Sequence, residues 1–260
     1  MSKPTLTRSE KRKIVERLYR RADHIEERVR NISSGRSIPI KEHQRLNEPK
    51  RFELAIVFVD INDFTKYVMD NGPKKALYMV SVFMSEAMKL VQDFNGYFEK
   101  NTGDGLLAYF GFGKDASEAV VELLSYLSTV KWVLNEHVNL LFEENKINSI
   151  QISAGAAYGP AYLSRIGAKN YEQELNRITA VSNAANIASK LESIAGKNEL
   201  LTGPNVWFHA DKEMRSHLSP YDTLEGFSWK NPSTNESEDF QIYKYSGEWS
   251  GEVQHDQKES

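Results

Sequence analysis

Ala55-Ile56-Val57-Phe58-Val59-Asp60-Ile61-Asn62-Asp63-Phe64-Thr65 is a run of strand-forming apolar residues that stops on a carboxylate. A second stretch, 44 residues on, does the same: Tyr97-Phe98-Glu99-Lys100-Asn101-Thr102-Gly103-Asp104-Gly105-Leu106-Leu107-Ala108-Tyr109-Phe110. There Asp104 sits in a Gly-Asp-Gly turn between two strand-like runs. A carboxylate at a strand end is held rigidly and still reaches solvent. Two of them brought together form a hard-oxygen site suited to Mg²⁺ or Mn²⁺ carrying a nucleoside triphosphate. Each has a plainer reading alone, Asp60 as a helix cap and Asp104 as a turn residue.

The remaining sequence bounds the setting. A chain of 260 residues with 40% hydrophobic and 27% charged residues is long and apolar enough to bury a proper core. No apolar run reaches the ~18 residues that span a bilayer, and the basic N-terminus lacks the apolar stretch of a signal peptide. A soluble, cytoplasmic protein without stable membrane insertion is expected. The absence of cysteine removes disulfides, zinc-thiolate sites and thiol nucleophiles. The net charge of −3 hides an asymmetry: residues 1–51 carry 15 Lys and Arg against 7 Asp and Glu, and the remainder carries 18 against 29. The basic arm lacks interleaved aromatics for single-strand binding, so no nucleic acid is expected, and docking on the acidic body or a dimer mate is.

Three segments follow: a basic N-terminal helix and linker over 1–51, a catalytic domain over 52–246 and a disordered tail over 247–260. Within residues 8–32, Val15, Leu18, Ala22, Ile25, Val29 and Ile32 repeat at 3-4-3-4-3, the seam of an amphipathic helix that ends at Ser33-Ser34-Gly35. Pro39 and Pro49 mark an extended linker. Beyond it, strands are expected at Phe52–Asp60, Tyr97–Asn101, Leu106–Phe110, Ile150–Tyr158, Glu199–Thr202 and Phe240–Tyr245. The strand over Ile150–Tyr158 should end in a turn at Gly159-Pro160. Helices are expected at Lys74–Phe94, 115–145 and Asn183–Ser193. The order strand–helix–strand–strand–helix–strand is that of an α+β ferredoxin-like palm.

Four motifs in this order resemble the catalytic domain of class III nucleotide cyclases over about residues 52–245. They are the strand ending at Asp60 with Phe64-Thr65 behind it, Lys100-Asn101-Thr102-Gly103-Asp104, Gly155-Ala156-Ala157-Tyr158-Gly159-Pro160, and Thr179-Ala180-Val181-Ser182-Asn183-Ala184-Ala185-Asn186-Ile187-Ala188-Ser189-Lys190-Leu191-Glu192. The resemblance implies attack of a ribose 3′-hydroxyl on the α-phosphate with loss of pyrophosphate. It implies two divalent cations, Mn²⁺ or Mg²⁺, held by Asp60, Asp104 and the Ile61 carbonyl. One ion acidifies the attacking hydroxyl and the other neutralises the triphosphate. Backbone amides of Asn62, Asp63, Phe64 and Thr65, at a helix start, would cradle the β- and γ-phosphates.

Lys100 lies four residues before Asp104, and strand alternation would put both on one face. The resemblance makes Lys100 and Thr179 base-reading residues. Lysine there is typical of members that accept adenine, but it only donates hydrogen bonds and so suits pyrimidine oxygens as well. Asn186 and Lys190 share a helical face. By resemblance Asn186 orients the ribose, and Lys190 stands where an arginine normally stabilises the transition state. Lysine offers one compact charge in place of a planar fork, so lower turnover or a compensating cation such as Arg177 or Lys197 is expected.

Family members build each site from two subunits, and every critical position lies on this one chain. The expected partners are a nucleoside triphosphate and a second copy in a head-to-tail homodimer. The short arm before the catalytic part gives the layout of a stand-alone enzyme. That layout is similar to the bacterial pyrimidine cyclases of antiphage defence, which make cyclic UMP or cyclic CMP. Phe58, Phe98 or Tyr97 could narrow a pyrimidine pocket and equally could be core. The readings that follow are a pyrimidine cyclase, an adenylate cyclase, a catalytically weak nucleotide-binding module, or an interaction protein dominated by its N-terminal helix. Diguanylate cyclases share the palm, but their Gly-Gly-(Asp/Glu)-Glu-Phe turn is absent. The six histidines show no metal-ligand spacing.

Overall fold

A computed structural model describes residues 6–30, 50–101, 103–168 and 175–247. The expected linker and tail lie outside these residues. At the centre is strand β1 (Lys50–Ile61), whose apolar run is continuous because both faces are covered. Ala55, Val57, Val59 and Ile61 point into the main core, while Leu54 and Ile56, with Phe58 partly buried beside them, point into a second one. β1 pairs antiparallel with β3 (Gly105–Phe110) and with β4 (Ile152–Ala168), and β2 (Tyr97–Asn101) flanks β3. The strand order β2-β3-β1-β4 is the expected palm. Beyond β4 the sheet continues through β6 (Leu200–Thr202), β8 (Ser237–Tyr245) and β7 (Leu218–Lys230), and β5 (Leu175–Val181) pairs with the outer part of β4.

Helices α1 (Arg8–Arg30), α3 (Pro73–Asp93) and α4 (Ala116–Val133) cover the main core face. α4 opens on a reciprocal cap. The Glu118 amide donates to Asp115 Oδ1 at 2.9 Å, and the Asp115 amide donates to the Glu118 carboxylate. It continues through a π-turn (Leu134–Val138) into α5 (Asn139–Glu144). α1 is capped by Thr7 and Glu10, whose side chains bond at 2.8 Å. It docks on α3 rather than standing free. Val15, Leu18 and Ala22 of the seam are buried, and Arg17 bridges Glu86 at 2.6 Å and Asp93 at 2.5 Å. The described part of the basic arm therefore packs on the body, with Arg17 meeting two of its acidic residues. No helix among the described residues is long and apolar enough to cross a membrane.

Two expectations are corrected here. β4 runs through Gly159-Pro160 without a turn, with Pro160 opposite Glu53. At that level β4 has β1 on one side and no strand on the other, since β6 pairs only through Ala156 and β5 only from Tyr162. A missing proline N–H therefore costs no ladder bond. The alternation that would have put Lys100 and Asp104 on one face also lapses. β2 ends at Asn101, Asp104 lies in the turn beyond it, and the β2–β3 register shifts between Phe98 and Lys100.

Candidate active site

α6 (Asn183–Ile194) is the only helix among those described that crosses the other face of the sheet, over β4 and β1. Its start is fixed by Ser182, whose hydroxyl accepts from the Ala185 amide and donates to the Pro160 carbonyl at 2.7 Å. Its middle lies directly on Gly155. A Cβ there would stand 2.0 Å from the Ala188 carbonyl oxygen and 2.1 Å from the Glu192 amide nitrogen, so only glycine admits this approach. Ala184, Ala185 and Ala188 fill the shallow gap against Leu54, Ile56, Leu107 and Tyr109.

This crossing brings Glu192 to the two aspartates. Asp60 stands opposite Gly105 on β3 and Ser153 on β4, and the Ile61 amide donates to the Asp104 carbonyl at 3.2 Å. Asp60 and Asp104 are therefore neighbours across two adjacent strands. Burial first, then the charges of Asp104 and Glu192, push the half-buried Asp60 acid up to about 6. Glu192 is likewise raised by burial and by Asp104, against the lowering effect of the Ser153 hydroxyl that donates to it at 2.9 Å. Ser153 in turn accepts from Asn62 Nδ2 at 3.2 Å. Three carboxylates facing one half-buried cleft repel each other, and a divalent cation removes that repulsion. The hard-oxygen donors suit Mg²⁺ or Mn²⁺. No three His, Asp or Glu side chains among the described residues are arranged to hold one ion together, and the residues fit a donor set of two carboxylates.

The phosphate cradle is narrower than its sequence implies. Asp60 is no helix cap, because α2 (Phe64–Asn71) begins four residues later with Asp63 at its N-cap, in a left-handed conformation (φ 54°). The Asn62 amide is consumed by the Gln151 carbonyl at 2.9 Å, which removes it from the cradle. Asn62 acts through its side chain, joining Ser153 to the loop after α6, where its Oδ1 accepts from the Asn198 amide. The amides at the start of α2 have no intrahelical acceptor, as in any helix, and Phe64 anchors that turn against the main core.

Asn186 and Lys190 are exposed on α6. Lys190 lies two residues from Glu192, about 200° around the helix, and its Nζ sits 4.7 Å over the Phe227 ring of β7. Both side chains therefore turn away from the aspartates of their own chain. Thr179 lies opposite Ser164, eleven residues along β4 from the partner of Asp60, or roughly 35 Å of strand. Lys100 stands opposite Leu107, itself opposite Phe58. Of the three candidate pocket aromatics, Phe58 packs on the α6 face and Tyr97 stacks on Tyr109, whereas Phe98 packs into the main core on the far side. Phe98 is thus removed as a wall of any pocket at Asp60. Glu192, Ser153 and Asn198 carried no signal in the sequence. Glu192 closes the fourth motif, but only the crossing over Gly155 gives it neighbours.

A palm whose second and third strands bring paired aspartates beside a helix of outward-facing Asn and Lys defines a nucleotide-cyclase domain. The chain belongs to the adenylate and guanylate cyclase catalytic domain family, whose model matches residues 47–219. It is 26% identical over 166 residues to a cytidylate cyclase of Staphylococcus aureus, covering 63% of this chain and 39% of that protein. It is also 26% identical over 159 residues to a cytidylate cyclase of Escherichia coli, covering 59% and 34%. The chain thus spans well under half the length of these curated relatives. The adenylyl cyclase CyaB from P. aeruginosa shares the fold, with a TM-score of 0.64 at 20% identity over 76% of this chain and 96% of that one.

Proposed function

We propose that this protein is a pyrimidine nucleotide cyclase that converts CTP or UTP to the 3′,5′-cyclic monophosphate, and CTP is favoured. The base preference is supported by the two cytidylate cyclases among its relatives. The reaction class is carried by one observation, the meeting of Asp60 and Asp104 at adjacent strand ends on a chain of the cyclase family. In the reaction the 3′-oxygen bonds to the α-phosphorus as its proton passes to solvent water. The bond from the α-phosphorus to the bridging oxygen breaks, and pyrophosphate leaves. Asp60, Asp104 and the Ile61 carbonyl would hold two divalent cations, which supply acidity at the 3′-hydroxyl and neutralise the triphosphate. Amides of Asp63, Phe64 and Thr65 receive the terminal phosphates. Lys100 and Thr179 read the base, Asn186 orients the ribose, and Lys190 stabilises charge on the α-phosphate.

The outward turn of Asn186 and Lys190 and the distance of Thr179 from Asp60 support assembly of each site from two copies, head to tail. The product would serve as a second messenger, and an antiphage role is the reading offered by the resemblance to bacterial pyrimidine cyclases. The test is to incubate the protein with each of the four nucleoside triphosphates and Mn²⁺ and to identify the product by mass. Cyclic CMP or cyclic UMP from the wild type, and none from Asp104→Ala, is the expected result. Exclusive cyclic AMP overturns the base preference and favours the adenylate reading that Lys100 and Thr179 also allow. Lys190 in the arginine position favours a second reading, a nucleotide-binding module with little turnover. Binding of CTP without product, even in Lys190→Arg, would establish it.

A further inference from the structure

The loop after α6 carries a lysine against the start of α2. Lys197 Nζ lies 2.5 Å from Asp63 Oδ2, with both side chains more than half exposed. Asp63 is at the N-cap of α2, yet its carboxylate makes no bond to the helix it caps. It turns to Lys197 instead, whose hydrogen bond and charge hold the carboxyl's pKa below the ordinary carboxylate range.

The loop beneath Lys197 is firmly built. The Gly196 amide donates to Glu199 Oε2 at 2.8 Å, and Glu199 also accepts from Lys244 at 2.7 Å and from the Tyr221 hydroxyl at 3.0 Å. The Asn198 amide donates to Asn62 Oδ1, and Asn198 Oδ1 accepts from the Ile152 amide, each at 3.4 Å. The backbone of Lys197 is thus tied to the segment that follows Asp60, while its four-carbon stem remains free to move.

We propose that Lys197 is a ligand of the terminal phosphates of the triphosphate, contributed by the same chain as the aspartates and parked on Asp63 until substrate binds. This rests on the cyclase reading of the site. An exposed lysine–carboxylate pair is weak and readily exchanged, whereas a triphosphate at the same helix start offers several anionic oxygens and charge-assisted hydrogen bonds. An unneutralised Asp63 in the cradle would repel that substrate, which is the rival account of any loss seen on removing Lys197. Lys197 belongs to the aspartate side of the site and Lys190 to the outward face of α6. Lys197 therefore acts on the leaving pyrophosphate and does not substitute for Lys190.

Inorganic triphosphate is the probe, titrated calorimetrically in Mn²⁺ into wild type, Lys197→Met, Lys197→Arg and the double variant Lys197→Met/Asp63→Asn, with CMP as the control. Lys197→Met should bind inorganic triphosphate about tenfold more weakly, with CMP unchanged and Lys197→Arg close to wild type. The double variant should remain weak. Equal binding by Lys197→Met and wild type overturns the assignment. So does full recovery in the double variant, since Lys197 would then only mask Asp63. A Lys197→Met protein that forms cyclic product at unchanged KM also sinks it and leaves the cyclase reading intact. A wild type that binds inorganic triphosphate through Lys197 and forms no cyclic product upholds it while the cyclase reading fails.

Discussion

Burial and two nearby carboxylates raise the Asp60 acid to about 6, and the sign of that shift has consequences for both stability and loading. The folded value lies above the unfolded one of 3.8. Its contribution to stability is therefore complete below about pH 4 and is lost as pH rises through about 6. Discounted for the half of the side chain that water still reaches, the loss is about 1 kcal/mol. Asp60→Asn, neutral throughout, should melt a few degrees above the metal-free wild type at about pH 7.5 and level with it at about pH 4. Thermal melts in EDTA at both pH values check this, and a gap that persists at the acid end contradicts it. The same acid must lose its proton to hold a cation, so Mn²⁺ affinity should fall as pH drops through about 6, which titration calorimetry measures. At Lys190 the planar fork of arginine should raise kcat on the order of tenfold with little change in KM. A kcat for Lys190→Arg at or below wild type would mean that the lysine already supplies all the charge the step needs.

At the scale of elements, α6 is where sequence and structure part company. Its existence, its start and the shared face of Asn186 and Lys190 were readable from a helical pattern. Its partner was not, because the need for glycine at position 155 arises only when a helix from 30 residues later lies across it. Gly155→Ala places a methyl group within 2.1 Å of backbone atoms that have nowhere to go. It should cost about 3 kcal/mol or more and abolish activity by lifting Glu192 from Ser153, as a urea titration and a product assay would show. β7 escaped the sequence reading for a different reason. Its buried residues Leu218, Leu224 and Trp229 fall at spacings that match neither strand nor helix, since the register slips against β8 between Pro220 and Asp222 and again between Thr223 and Ser228. β5 went unread because its apolar residues Leu175, Ile178, Ala180 and Val181 keep no period of two. By contrast the seam of α1 was plain, and so was the sign of its charge. Arg17→Ala removes the cation that faces Glu86, whose side chain is 1% exposed. The change should destabilise the fold by about 2 kcal/mol and expose the N-terminal helix to protease. An unchanged midpoint would mean that apolar packing alone docks the helix.

At the scale of the whole molecule, the candidate site residues fall into two groups that face different ways. Asp60 and Asp104 open on one side of α6, and Asn186 and Lys190 on the other. Asp60→Ala and Asn186→Ala should each be inactive, and an equal mixture, refolded together, should recover about a quarter of wild-type activity, because half the dimers would hold one intact site of two. No recovery on mixing would point to sites completed within a single chain. The palm was legible because its strands alternate or run apolar where they must. The expectation of a second copy came from the resemblance alone, since a face turned to solvent looks the same in sequence whether or not another protein meets it. One further consequence lies in the outer part of β4. Past Leu163, among the described residues, it no longer pairs with β1 and forms with β5 a two-stranded ribbon that carries Thr179. This ribbon lies apart from the strand ends that carry Asp60 and Asp104. With Thr179 reading the base as proposed, a lineage could trade one nucleobase for another by editing the ribbon, with the triphosphate chemistry left untouched behind it.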